Sequence, residues 1–451
     1  MPVVIDGALF VEATQEIPEY LIAQNKNSDK ENLGFGDFKR LTEEAEKAEE
    51  AGDLQKQIDA WEGILFLIDK GFGHDHSYTG HCLKKLAKLY ESQGLYNKAE
   101  PLYLRALAID KKVLGAEHEG IATSLTLLAN LYEHQGKYRK ARLLYLKALA
   151  IKEKSLGVED LSTVPILINL ALHYHNGGQL DEAEEAYQRA LKINQKVKGT
   201  DKLNNGIILS SLGDLYVRQG YYGKAEDFLQ RGLSIREKIL GTEHSSTAIT
   251  LYSLASLNAR IGKFKKAERL HIRALGIFEK TLGPQHPRTA GSLNSLGDLY
   301  RTRKLYKVAE AFYLRALSIK EKSLHGMRMP DTLNNLALLY TTQGLYDKAE
   351  PLYFRALAIN ERLRGSENLY ASFLFMNLGG LNQDKGLYDE AESFYLRAKR
   401  INEKLLGREH PRTITSIGLL ANLYYEQGAL RKGDDFLFLS LDAISMLMQR
   451  E

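Results

Sequence analysis

A glycine returns every 42 residues, at Gly52, Gly94, Gly136, Gly178, Gly220 and Gly262, and after a gap at Gly344, Gly386 and Gly428. Lys304 holds the place in one unit, and the next step shortens to 40 because two residues are missing in the loop SLHGMRMP (323–330). A fixed period of this length means that one supersecondary unit is copied and stacked, so no single compact core has to enclose the 451 residues. The copying extends to individual letters: residues 85–109 (KLAKLYESQGLYNKAEPLYLRALAI) and 335–359 (NLALLYTTQGLYDKAEPLYFRALAI) agree at 19 of 25 places.

Each copy contains two apolar stretches of helical period. Leu333, Leu336, Ala337 and Tyr340 form one set, and Ala349, Leu352, Tyr353, Ala356 and Ile359 the other, both at i, i+3, i+4, i+7 spacing. Two short amphipathic helices packed as a hairpin follow. The glycine between them lacks a Cβ and ends the first helix in the left-handed conformation, where Lys304 is expected to carry a small penalty. A second series, Gly115, Gly157, Gly199, Gly241, Gly283, Gly365 and Gly407, stops the second helix. Thr79, Thr163, Asn205, Thr247, Thr289 and Thr413 stand where an N-cap oxygen is expected for the following helix. Small residues fall at fixed places, such as Ala99, Ala141 and Ala183 early in the second helix and Ala87, Ala129 and Ala171 in the first. They let neighbouring backbones approach, where a larger side chain would cost about 1–3 kcal/mol in overpacking.

The pattern L-x-x-L-A/G-x-x-Y followed by G-x-Y-x-x-A-E-x-x-Y-x-x-A-L resembles the tetratricopeptide repeat. The 42-residue period, with endings such as IREKILGTEHSST (235–247) and IFEKTLGPQHPRT (277–289), is similar to the kinesin light chain type. The resemblance implies an all-α fold, a right-handed α-solenoid or superhelix of stacked helix-turn-helix tetratricopeptide repeats. It divides the chain into a poorly structured or extended arm over 1–36, a degenerate helix pair over 37–78 with Trp61 at the tyrosine place, eight units over 79–412, and an atypical last unit or cap over 413–451. In that last unit Gly433 and Leu439 replace the usual Ala and Arg, and the final helix is unusually apolar. It is expected to fold back as a cap or to form a dimer contact, or else to have been covered by a further domain of a longer ancestor.

Charge and composition exclude several classes. Lysine and arginine exceed aspartate and glutamate by only 61 to 57, a formal net charge of +4, so nothing calls for nucleic acid. A hydrophobic content of 44% is that of a folded chain, and a lone Cys82 rules out an internal disulfide framework and fits the cytoplasm. The run FLFLSLDAISMLM (436–448) is interrupted by Asp442 and too short for membrane insertion, which takes about 20 residues. Phosphate-loop, nucleophile-elbow and H-E-x-x-H motifs are absent, so no catalytic residue, cofactor or metal site is expected and an enzyme is not. The cluster GHDHSYTGHC (73–82) offers His74, His76, His81 and Cys82, but His76 shares its place with His118, His244, His286 and His410, which points to a repeated structural job. Nineteen of the 25 tyrosines occupy three repeated places and are expected to pack rather than to stack on bases. Arginine or lysine at 105, 147, 189, 231, 273, 315, 355 and 397, with glutamate at 100, 184, 226, 268, 310, 350 and 392, is expected to form ion pairs within or between units.

Function is expected where the copies disagree. The resemblance places the lining of an inner, concave surface at the second, fifth, ninth, twelfth and thirteenth places of the first helix. Those places hold Lys84, Lys88, Asn130, His134, Asp214, Arg218, Arg260, Asn294, Asp298, Arg301, Asn334 and Thr341. An asparagine amide can pair with both backbone N–H and C=O, and a guanidinium grips a carboxylate, so this set suits peptide recognition. Asp214 with Arg218 and Asp298 with Arg301 are also spaced to satisfy each other on the helix surface. The reading is a non-enzymatic adaptor for peptide segments of partner proteins. The resemblance adds kinesin heavy chain and cargo proteins as partners and a cytoskeletal, microtubule-side place in the cytoplasm. The alternative is a regulatory or sensor arm of a bacterial-type signalling system. The stretch FKRLTEEAEKAEEAGD (38–53) is too short and too alanine-rich to zip as a heavy-chain-binding coiled coil.

Overall fold

The computed structural model describes residues 35–196, 202–322 and 329–448. Two compact bodies divide the chain at 239/240. The described part of the first holds five hairpins: α1 (Phe35–Ala51) with α2 (Leu54–Phe72), α3 (Ser77–Ser92) with α4 (Tyr96–Leu114), α5 (Gly120–His134) with α6 (Tyr138–Leu156), α7 (Val164–Gly177) with α8 (Leu180–Lys196), and α9 (Lys202–Gln219) with α10 (Tyr222–Leu240). The second holds five more: α11 (Ser245–Arg260) with α12 (Phe264–Leu282), α13 (Pro287–Thr302) with α14 (Tyr306–Lys322), α15 (Met329–Thr342) with α16 (Tyr346–Arg364), α17 (Leu369–Asp384) with α18 (Tyr388–Leu406), and α19 (Pro411–Glu426) with α20 (Leu430–Met448). Within each body the second helix of a hairpin packs on the first helix of the next, and no strand occurs among the described residues. The fold is an α-solenoid of repeated hairpins, built on the predicted period. The arm expected over 1–36 lies outside the described residues except for Phe35 and Gly36, which open α1, and Gly199 also lies outside them.

Backbone geometry explains the glycine series. Gly94 turns at φ 71° and closes the helix with Gly94 N–H to Glu91 C=O at 2.9 Å and Leu95 N–H to Tyr90 C=O at 2.9 Å. Lys304 makes the same two bonds, to Arg301 and from Leu305 to Tyr300, each at 2.9 Å, and is the one described non-glycine residue with positive φ, at 61°. The turn tolerates the Cβ, at the expected strain.

The core repeats with the chain. Ala99, Ala141, Ala183, Ala225, Ala267, Ala309, Ala349 and Ala391 are all fully buried, and Tyr103, Tyr187, Tyr313, Tyr353 and Tyr395 are among the largest buried side chains. A Cβ placed on Gly297 or Gly379 would stand 2.5 Å from the ring of Tyr313 or Tyr395. The ring therefore lies directly on the first helix, which is why only alanine or glycine recurs there.

The helix starts correct the sequence reading. The threonines do not cap. Thr79, Thr247, Thr289 and Thr413 sit inside the first turn and donate their hydroxyls to the carbonyls of Gly73, Gly241, Gly283 and Gly407 at 2.8–3.0 Å. Thr163 donates to the Asp160 carbonyl, and Asn205 lies within α9. The cap stands three residues earlier. The Nδ1 atoms of His76, His118, His244, His286 and His410 accept the N–H two residues on at 3.0–3.3 Å. Asp160 and Asn368 do the same job elsewhere. A histidine cap falls outside the usual Ser/Thr/Asp/Asn preference, so propensity selected the wrong residue.

Recurrent charges hold unit to unit. Tyr132, Tyr216, Tyr340 and Tyr424 donate their hydroxyls to Glu100, Glu184, Glu310 and Glu392 of the preceding hairpin at 2.5–3.1 Å. Arg105, Arg189, Arg315 and Arg355 reach back to Asp69, Glu153, Glu279 and Glu321 at 2.5–3.1 Å. Lys154, Lys196, Lys280 and Lys404 pair with loop acids Glu117, Glu159, Glu243 and Glu367. The second helices thus spend much of their charge on stacking.

Candidate functional site

Cys82 is buried beside Ile64, Ile68 and Phe38, and burial, with Asp69 adding, pushes its thiol up to about 12. Such a thiol is neither a nucleophile nor a ligand at neutral pH. Burial, with Lys85 and Lys84 nearby, holds His81 down to about 4. His74 is tied to Asp69 at 2.8 Å and His76 is a cap, so the four side chains of 73–82 have separate employments.

First helices of neighbouring hairpins run side by side within each body, and the expected binding residues fall on that row. In the first body Lys84 turns inward to Asp110 of its own hairpin at 3.2 Å, where Ser124 of the next hairpin also donates, so its charge is used within the scaffold. Lys88 is exposed. His134 Nδ1 meets Glu91 at 2.8 Å, and Glu91 also accepts the Tyr103 hydroxyl at 2.9 Å. Asn130 is buried and its Oδ1 accepts the Tyr145 hydroxyl at 2.5 Å. Arg218 does not turn to Asp214 in the geometry the spacing suggested; its guanidinium donates to the backbone carbonyl of His175, one unit earlier. Burial, reinforced by Arg218, holds His175 down to about 4. Asp214 is half-buried.

In the second body the set forms a connected chain. Asn377 Nδ2 donates to Asn334 Oδ1 at 2.7 Å, Asn334 Nδ2 to Asn335 Oδ1 at 3.2 Å, and Asn335 Nδ2 to Asp298 Oδ2 at 3.3 Å. Asp298 also accepts Tyr313 Oη at 2.6 Å and Asn294 Nδ2 at 3.5 Å. Burial pushes its carboxyl up, against the Tyr313 hydrogen bond and the Arg301 charge. Arg301 Nε and Asn294 Oδ1 are buried without a partner. Arg260 is exposed. Thr341 bonds back to the Ala337 carbonyl at 3.0 Å, so its hydroxyl serves the helix.

Four contributors were missed from sequence. Asn169, Asn335 and Asn377 share the sixth place of the repeat, outside the places assigned to the lining, and their recurrence was the available signal. His173, which meets Glu133 at 2.7 Å, carries no such mark.

With this geometry in hand, the comparisons are decisive at the level of the repeat. A tetratricopeptide repeat model matches residues 81–154, 162–238, 218–280, 246–322 and 370–432, and a second one matches 330–363. The chain belongs to the tetratricopeptide repeat family. No curated relative matches it. Among solved structures, a Pyrococcus horikoshii STAND protein with a tetratricopeptide repeat sensor is 19% identical over 82% of this chain and 53% of its own, with a TM-score of 0.50. A Rap protein complexed with competence and sporulation factor is 13% identical over 82% of this chain and 99% of its own, with a TM-score of 0.53. A candidate kinesin light chain of Podosopora anserina with nearly identical repeats is 26% identical over 46% of this chain and 98% of its own, with a TM-score of 0.39. The first two of these share the helical-repeat fold with this chain. No helix among the described residues is long and apolar enough to cross a membrane.

Proposed function

We propose that this tetratricopeptide repeat protein is a non-enzymatic adaptor that binds extended peptide segments of partner proteins along the row of first helices. The observation that carries the reading is an unequal use of polar groups. Many charges on the second helices are engaged between units, whereas on the first helices, beside engaged groups such as Lys84 and Arg218, Lys88 and Arg260 face solvent and Arg301 Nε and Asn294 Oδ1 lack partners. Asparagine amides beside these cations suit a peptide backbone with an acidic side chain. The finer reading is a kinesin-light-chain-like adaptor with kinesin heavy chain and cargo proteins as partners, in the cytoplasm beside microtubules. Its support is the 42-residue period and loop endings such as 241–244 (GTEH) and 283–286 (GPQH).

A second reading, a regulatory arm in a bacterial-type signalling system, is favoured by the outer side of α20. There Leu437, Phe438 and Leu441 are exposed, Phe438 at 71%, as suits an attached effector domain or a second copy.

Selection of a random peptide library on the full chain tests the adaptor. Peptides are expected to be enriched, and to bind the triple variant Lys88→Glu, Arg260→Glu, Arg301→Glu at least tenfold more weakly. Unchanged binding by a folded triple variant would place recognition elsewhere. A purified kinesin heavy-chain stalk that fails to bind the chain would remove the motor assignment and leave the adaptor standing.

A further inference from the structure

We infer that the first body contains a pocket for a cationic group, the ammonium or guanidinium end of a lysine or arginine side chain on a bound peptide; the inference rests on the peptide-binding reading above. Asn130, Glu133 and His134 of α5, Tyr145 of α6, and Asn169, Leu172 and His173 of α7 line an open-sided pocket of about 40 Å³. That is room for about three waters, enough for an ammonium or guanidinium head and too little for an aromatic ring.

The lining asks for a donor. Glu133 Oε2 is engaged by His173 Nδ1 at 2.7 Å, but Glu133 Oε1 is buried with no partner. A carboxylate oxygen withdrawn from water and left unpaired is costly, and a charged N–H would satisfy it with a strong bond. Asn169 is 7% exposed and lines the same pocket. Its Oδ1 can accept from the same cation. Asn130 has committed its oxygen to Tyr145, leaving its NH₂ for a peptide carbonyl.

Charge settles the sign. Glu91, on the neighbouring first helix, adds a second acid through its contact with His134, and no lysine or arginine lines the space. Lys137, at the turn of the same hairpin, is held by Glu100 at 3.0 Å, and Arg142 lies over the Tyr174 ring. The imidazoles of His134 and His173 each present Nδ1 to a carboxylate, at 2.8 and 2.7 Å.

The test selects alanine-flanked random hexapeptides on the full chain and measures a fluorescein-labelled winner by anisotropy. Lysine or arginine is expected at one peptide position. Replacing it by norleucine should weaken binding about tenfold or more on the parent chain and change little on Glu133→Gln, which keeps the bond to His173. Asn169→Leu, which fills the space, repeats the cycle should Glu133→Gln melt early by circular dichroism. Enriched peptides without a cationic position, or a norleucine penalty that persists in both folded variants, overturn the pocket alone. No enrichment at all overturns the adaptor reading and the pocket with it.

Discussion

Replacing Lys304 by glycine should stabilise the second body. Lys304 sits at φ 61° in a turn whose hydrogen bonds, at 2.9 Å from Lys304 to Arg301 and from Leu305 to Tyr300, equal those of Gly344 to Thr341 and Leu345 to Tyr340. The two turns therefore differ in the Cβ and little else. A residue with a Cβ in this conformation costs about 1–2 kcal/mol. Glycine gives back about 0.4–1 kcal/mol through the freedom of the unfolded chain. The expected net gain for Lys304→Gly is about 0.5–1 kcal/mol, and the reciprocal Gly344→Lys should lose a similar amount. Space does not confound the reciprocal, since nothing lies within 4 Å of a Cβ on Gly344, where φ is 71°. Urea unfolding followed by circular dichroism reads the global effect, and amide exchange at residues 299–306 and 339–346 reads the local one. If both substitutions destabilise, or neither moves exchange at its own turn, left-handed strain is not what distinguishes Lys304.

Histidines withdrawn from water, two of them helix caps, make stability depend on pH in one direction. Burial holds His286 and His410 below the ordinary histidine value and His81, His175 and His271 down to about 4, so the unfolded chain takes up protons first as pH falls. Stability should be full above about pH 6.5 and fall toward pH 4; an unchanged urea midpoint between pH 7.5 and 5 would contradict this, and His286→Asn, a cap the chain itself uses at Asn368, should flatten part of the slope. Gly379→Ala should destabilise by about 1–3 kcal/mol in thermal melts, because the new Cβ would meet the Tyr395 ring at 2.5 Å and ring or helix must shift. Cys82, buried with its thiol near 12, should resist iodoacetamide at pH 8 in the native protein and react on addition of denaturant; fast native alkylation would show that the α2–α3 core opens.

Period, hairpin, turn glycines and buried tyrosines were all legible from one chain, since a repeated unit prints its own alignment and each copy checks the others. Helix caps were misread because propensity speaks for Thr79 and its equivalents, while the backbone places His76 and its equivalents at the helix edge. Binding residues were legible only as a register. Lys84 and Thr341 occupy lining places and yet serve the scaffold, while Asn169 and His173 lie outside those places and line the pocket.

The difference has a physical origin. A helix of period 3.6 announces which of its faces is apolar, because that face must leave water wherever the helix ends up, so local spacing determined the elements and their pairing. A polar side chain's employment depends on what the next unit presents. His134 finds Glu91 at 43 positions' distance, Lys154 finds Glu117 at 37, and Asn377 finds Asn334 at 43. Only stacking brings such partners within hydrogen-bond reach, so only the tertiary structure decided which polar groups are engaged and which, like Glu133 Oε1, are left open.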